Sequence, residues 1–144
     1  LLNNHWGLQI ARKVMGGQYR IVADTTTLYA KYWNPKYRIE SLVELEELVE
    51  SSMNDRTFNK VNQPTLLLYY YKDDLNQDPV VSVRAMREMF SSISTKNAYK
   101  TEVALPDVGN HVIGSYVKSK DLETVRFEIE KFMDSVLKLP KITR

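Results

Sequence analysis

The chain has no cysteine, which excludes disulfides, a thiolate nucleophile and thiolate metal ligands. That absence says little about compartment, because both reducing and oxidising environments hold cysteine-free proteins. Histidine is nearly as scarce, at positions 5 and 111 only. Two histidines without a His-x-x-x-His spacing give no metal site, so neither a metal nor another cofactor is expected. Glycine is limited to five positions, 7, 16, 17, 109 and 114. No apolar run approaches the ~20 residues of a membrane-spanning helix, and no membrane partner is expected. Charge of one sign is lacking too: 20 Lys+Arg against 18 Asp+Glu leave +2, too little to draw nucleic acid.

What is present is an ordinary globular composition, 43% hydrophobic and 26% charged, with the organising stretch between Gln63 and His111. After Pro64, Thr65-Leu66-Leu67-Leu68-Tyr69-Tyr70-Tyr71 is a continuous apolar and aromatic run, predicting a fully buried, central parallel strand. Lys72 to Asp78 is polar and holds Asp73, Asp74 and Asp78. Beyond Val80 the residues Val83, Met86, Met89, Phe90 and Ile93 recur at helical spacing. Tyr99 to Leu105 reads as a second strand, and the loop after it contains Gly109-Asn110-His111. Strand, helix and strand make one βαβ unit, with an aspartate and a histidine beyond the C-terminal ends of parallel strands.

The order and spacing of Asp78-Pro79-Val80-Val81-Ser82 and Gly109-Asn110-His111 resemble the acid and histidine loops of the α/β-hydrolase superfamily of serine esterases, lipases and peptidase-like enzymes. In that family the triad acid and histidine follow late strands of the sheet, and a glycine more usually precedes the histidine, where Asn110 stands here. The resemblance extends from Gln63 to about Leu137, and the helical residues before it occupy the place of a cap. It implies a partial α/β-hydrolase fold, a βαβα core preceded by a helical cap. It also implies Asp78 and His111 as catalytic acid and base. Asp73 and Asp74 compete for the acid role, with Asp78 favoured because it directly precedes Pro79-Val80-Val81, where the next helix is expected to start.

The family also requires a strained Gly-x-Ser-x-Gly turn, and none of the five glycines brackets a serine in that way. The chain is therefore expected to be the C-terminal half of a hydrolase, lacking the nucleophile and its oxyanion-hole amides. The implied partners are a small-molecule acyl substrate in the intact protein, and either the missing N-terminal half or a second copy at an exposed sheet edge. The alternative is a non-catalytic binding module with hydrolase-like architecture.

The flanking segments read as helices. Asn3 or Asn4 caps Trp6 to about Met15, which Gly16-Gly17 ends. Asp24 and the threonines after it open a short helix through Leu28, Tyr29, Tyr32 and Trp33, with too many aromatics for a solvated face. Its aromatics are expected to pack the cap rather than line a pocket. From Ile39 to Met53 apolar residues at i, i+3 and i+4 oppose a row of glutamates. Asp55 to Asn62 is a connector, and Asp121 caps a final helix with Val125, Ile129 and Phe132 on one face. The change of period near Gln63 divides the chain into residues 1–62, cap, and 63–144, core.

Overall fold

The computed structural model describes residues 7–22 and 26–140. The expected caps Asn3, Asn4 and Asp24, with His5 and the start of the first helix at Trp6, lie outside the described residues. The fold is mixed α/β, with six α-helices and two small sheets among the described residues. It divides into two compact units between Asn54 and Asp55.

In the first unit, α1 (Gly7–Val14) ends because Gly16 takes φ +72°, a left-handed value that costs glycine nothing. The turn is closed by the Gly17 amide donating to the Arg12 carbonyl at 2.9 Å and Gly16 to Lys13 at 3.4 Å. The chain then forms β1 (Tyr19–Ile21), α2 (Thr27–Tyr32), β2 (Lys36–Arg38) and α3 (Glu40–Ser52). β1 and β2 pair antiparallel, Tyr19 opposite Arg38. This strand pair corrects the purely helical reading of the first part. Three-residue strands are too short for alternation to register, and only Ile39, directly after β2, is fully buried. The α2 aromatics are also more solvated than expected, with no buried residue in the helix and Tyr32 half exposed. Tyr29 and Trp33 instead stack on each other at 5.2 Å. The hydroxyl of Thr26 accepts from the Tyr29 amide and caps α2. On α3 the expected apolar face is uncovered: Leu45, Leu48, Val49 and Met53 are all exposed.

The second unit runs α4 (Asp55–Phe58), β3 (Thr65–Tyr70), α5 (Val83–Ser92), β4 (Lys100–Leu105) and α6 (Leu122–Ser135). Its start lies ahead of the Gln63 boundary because residues of the connector are tied to the end of α5. The Ser94 hydroxyl donates to the Asn59 carbonyl at 2.8 Å, and the buried Thr95 hydroxyl to the Gln63 carbonyl at 2.7 Å. β3 and β4 are parallel, from Thr65 opposite Lys100 to Tyr70 opposite Leu105, with α5 as the crossover. Alternation then sorts the faces. Leu68, Tyr70, Val103 and Leu105 share one face and meet Val125 of α6 and Val108. Tyr69 and Glu102 lie on the other, where the Arg87 guanidinium of α5 reaches Glu102 at 2.8 Å. Helices therefore cover both faces of the pair.

β3 is not the fully buried strand that its sequence suggests. Only Tyr69 is buried and the rest of the strand is half-buried, because among the described residues β4 is its one neighbour.

Candidate active site

The loop after β3 is built by its own aspartates. The Asp73 carboxylate accepts from the amides of Leu75 and Asn76 and from the Asn76 side chain, at 2.8–3.0 Å. The Tyr71 hydroxyl donates to Asp74 at 2.9 Å. Both residues are thereby spent on holding the loop, and neither is the partner of His111.

Asp78 closes that loop. Its amide donates to the Tyr70 carbonyl at 3.0 Å, fixing it at the C-terminal end of β3. Pro79 then turns the chain so that the Val80 and Val81 amides both point at one carboxylate oxygen, Oδ1, at 2.8 and 2.9 Å. The other oxygen, Oδ2, lies 2.7 Å from His111 Nδ1. α5 begins later than expected, at Val83, because the Ser82 hydroxyl accepts from the Ala85 amide and Asp78 is occupied with its own turn.

The Asp78 side chain retains only 4% exposure. Burial pushes its carboxyl up, but the hydrogen bonds from His111, Val81 and Val80 together outweigh it and hold the group below the ordinary aspartate range. A charged carboxylate at 2.7 Å requires a donor opposite it, so Nδ1 carries the ring proton and Nε2 is the basic nitrogen. The His111 side chain keeps 39% exposure.

His111 is delivered by the loop after β4. Val108 is fully buried and anchors the loop to the α6 core. Gly109 takes φ +63°, and the Asn110 side-chain oxygen accepts from the Val112 amide at 3.0 Å. The left-handed turn thus falls one residue before Asn110, whose side chain closes the next turn itself. Local loop shape at Asn110 is accommodated in this way, and the imidazole reaches the acid.

The gripping amides of Val80 and Val81 were not singled out from sequence, although Asp-Pro is a turn signal from which a side-chain-to-backbone turn follows. A cavity of about 440 Å³ lies elsewhere, on the α5 side, lined by Tyr69, Tyr71, Arg84, Arg87 and Glu102 among others. Its arginines are already paired, Arg84 with Glu88 and Arg87 with Glu102. Among the described residues no group of three or more His, Cys, Asp or Glu could hold a metal ion. Among them, too, no helix is long and apolar enough to cross a membrane.

Comparison with family models, with curated proteins and with solved structures returns no match for this chain.

Proposed function

We propose that this chain supplies the acid and the histidine of a serine-hydrolase triad acting on ester or amide substrates, within a partial α/β-hydrolase fold. The observation that carries the reading is the 2.7 Å contact of Asp78 Oδ2 with His111 Nδ1, made from loops at the C-terminal ends of adjacent parallel strands. Asp78 fixes the tautomer and stabilises the imidazolium; His111 Nε2 takes the proton of an attacking hydroxyl and returns it to the leaving group. The nucleophile comes from residues outside this sequence, since no Gly-x-Ser-x-Gly occurs in it. The oxyanion-hole donors come with it.

The test is reconstitution. This chain alone should release no p-nitrophenol from p-nitrophenyl acyl esters in a His111-dependent manner. Joined with the polypeptide bearing the serine turn, it should hydrolyse them, and His111→Ala should lower kcat on the order of 10³-fold or more. Turnover by the isolated chain that disappears in His111→Ala would overturn the missing-nucleophile reading. Full activity of the joined protein in both His111→Ala and Asp78→Ala would leave only a non-catalytic binding module.

A further inference from the structure

Resting on the reading of Asp78 and His111 as the acid and base of a triad, we propose that Asn110 is a positioning residue for His111. Its side-chain oxygen fixes the backbone of the histidine and so holds the imidazole against Asp78.

The loop after β4 is anchored on each side of His111. Val108 is fully buried, and its carbonyl accepts from the Lys120 amide at 3.0 Å. Ile113 packs against the same cluster of Leu105, Val108 and Val125. Between these anchors stand Gly109, Asn110, His111 and Val112. Gly109 takes φ +63°, a value that glycine permits without enforcing. The His111 side chain is 39% exposed, so packing gives the ring limited restraint and its backbone must place it.

Two local bonds set that backbone. The Ile113 amide donates to the His111 carbonyl at 3.0 Å, and the Val112 amide donates to Asn110 Oδ1 at 3.0 Å. The second bond spans the histidine, from the residue before it to the residue after it. The ring it closes contains both the φ and the ψ of His111, so one side chain restrains the two dihedrals that aim the imidazole. A glycine, more usual at this place in the α/β-hydrolases, has no side chain with which to close it. The acid is set in the same way, since Asp78 Oδ1 accepts from the Val80 amide two residues on. The 2.7 Å contact of Asp78 with His111 is thus made between two turns closed by side chains.

The experiment reads the ring in the full chain by ¹H and ¹⁵N NMR, at a pH where the imidazole is neutral. With two histidines in the sequence, the ring signals are few. The wild type should show a proton on Nδ1. Asn110→Ala should speed exchange of that proton with water roughly tenfold, the scale of one ordinary hydrogen bond, and move the ¹⁵N shifts toward a mixture of both tautomers. Asn110→Asp keeps an acceptor oxygen and should restore both signals. Ser94→Ala removes another side-chain-to-backbone bond of the same unit, to the Asn59 carbonyl, and should leave both unchanged.

Unaltered ring signals in Asn110→Ala overturn the proposal. So does an equal change in Ser94→Ala, which would reduce the effect to general loosening, or a failure of Asn110→Asp to restore the signals. If Asn110→Ala does not fold, the wild-type Val112 amide decides. Slow hydrogen exchange there supports the closed turn, and exchange at the rate of a free amide overturns it. A wild-type ring without the Nδ1 proton would overturn the pairing of acid and histidine itself, a failure distinct from any in the Asn110 variants.

Discussion

Tyr69 on β3 donates its hydroxyl to Glu102 on β4 at 2.7 Å, across the same sheet face and diagonal to the direct pairing of Tyr69 with Ala104. Glu102 also accepts from Arg87 at 2.8 Å, so one carboxylate ties strand, strand and crossover helix together. Burial, and then the neighbouring Glu102 carboxylate, push the Tyr69 phenol up to about 12.

A raised phenol favours the neutral form in the folded state. The stability it contributes is complete below the unfolded value of about 10 and is lost as pH rises toward 12. Tyr69→Phe should therefore cost about 1 kcal/mol at pH 7, because Glu102 keeps Arg87 as a partner. It should also remove a late-titrating tyrosine from the absorbance profile at 295 nm. A variant that leaves the alkaline limb of that profile unchanged would contradict the assignment.

Gly109 stands at φ +63°, and a Cβ built on it would lie 3.1 Å from Lys120 Cδ. Because the obstacle is the stem of a flexible lysine, the backbone conformation dominates the cost. Gly109→Ala should destabilise by about 1–2 kcal/mol in urea unfolding, the cost of a left-handed non-glycine residue. Adding Lys120→Ala should recover little of it. A double variant restored to wild-type stability would show instead that crowding sets the cost.

The second unit was legible where the signal was local and repeated. Val83, Phe90 and Ile93 recur with helical period and are buried, and Asp121 caps α6 by accepting from the Thr124 amide at 3.0 Å. The pairing of Asp78 with His111 followed from strand order, since parallel neighbours bring their C-terminal loops to one edge. What escaped depends on partners that period cannot report. β1 and β2 are held by an antiparallel ladder across a separation that includes α2. The apolar run of β3 predicts full burial, but burial requires neighbours, and the described residues provide one. Asp73, Asp74 and Asp78 differ in which groups their carboxylates accept from, a matter of loop geometry and not of residue type.

Ser82 tests where α5 begins. Its hydroxyl accepts from the Ala85 amide at 3.2 Å, and its backbone is extended, as a capping residue requires. Ser82→Ala should cost about 1 kcal/mol in urea unfolding, while Ser82→Asp should retain the cap and gain from the helix dipole. Were Ser82→Ala neutral, the first turn of α5 would have to be held by packing of Val83 alone.

Asp78→Asn examines the candidate site most directly, because it alters charge and hydrogen-bond polarity with almost no change of shape. If the amide oxygen keeps the bonds from Val80 and Val81, its NH₂ group faces His111 Nδ1, donor against donor. The ring then shifts its proton to Nε2, and ¹⁵N chemical shifts of His111 should report the exchanged tautomer. Loss of the buried carboxylate should also cost about 1–3 kcal/mol at pH 7. The sign of the pH dependence follows from the depressed folded-state value of Asp78. Its stabilisation is present above the unfolded value of about 3.9 and fades as pH falls through the lower folded value. The gap in unfolding free energy between wild type and variant should therefore shrink below about pH 4. A gap that persists undiminished to the lowest pH at which both fold would mean that the carboxylate charge contributes nothing there, and the acid role of Asp78 would lose its physical basis.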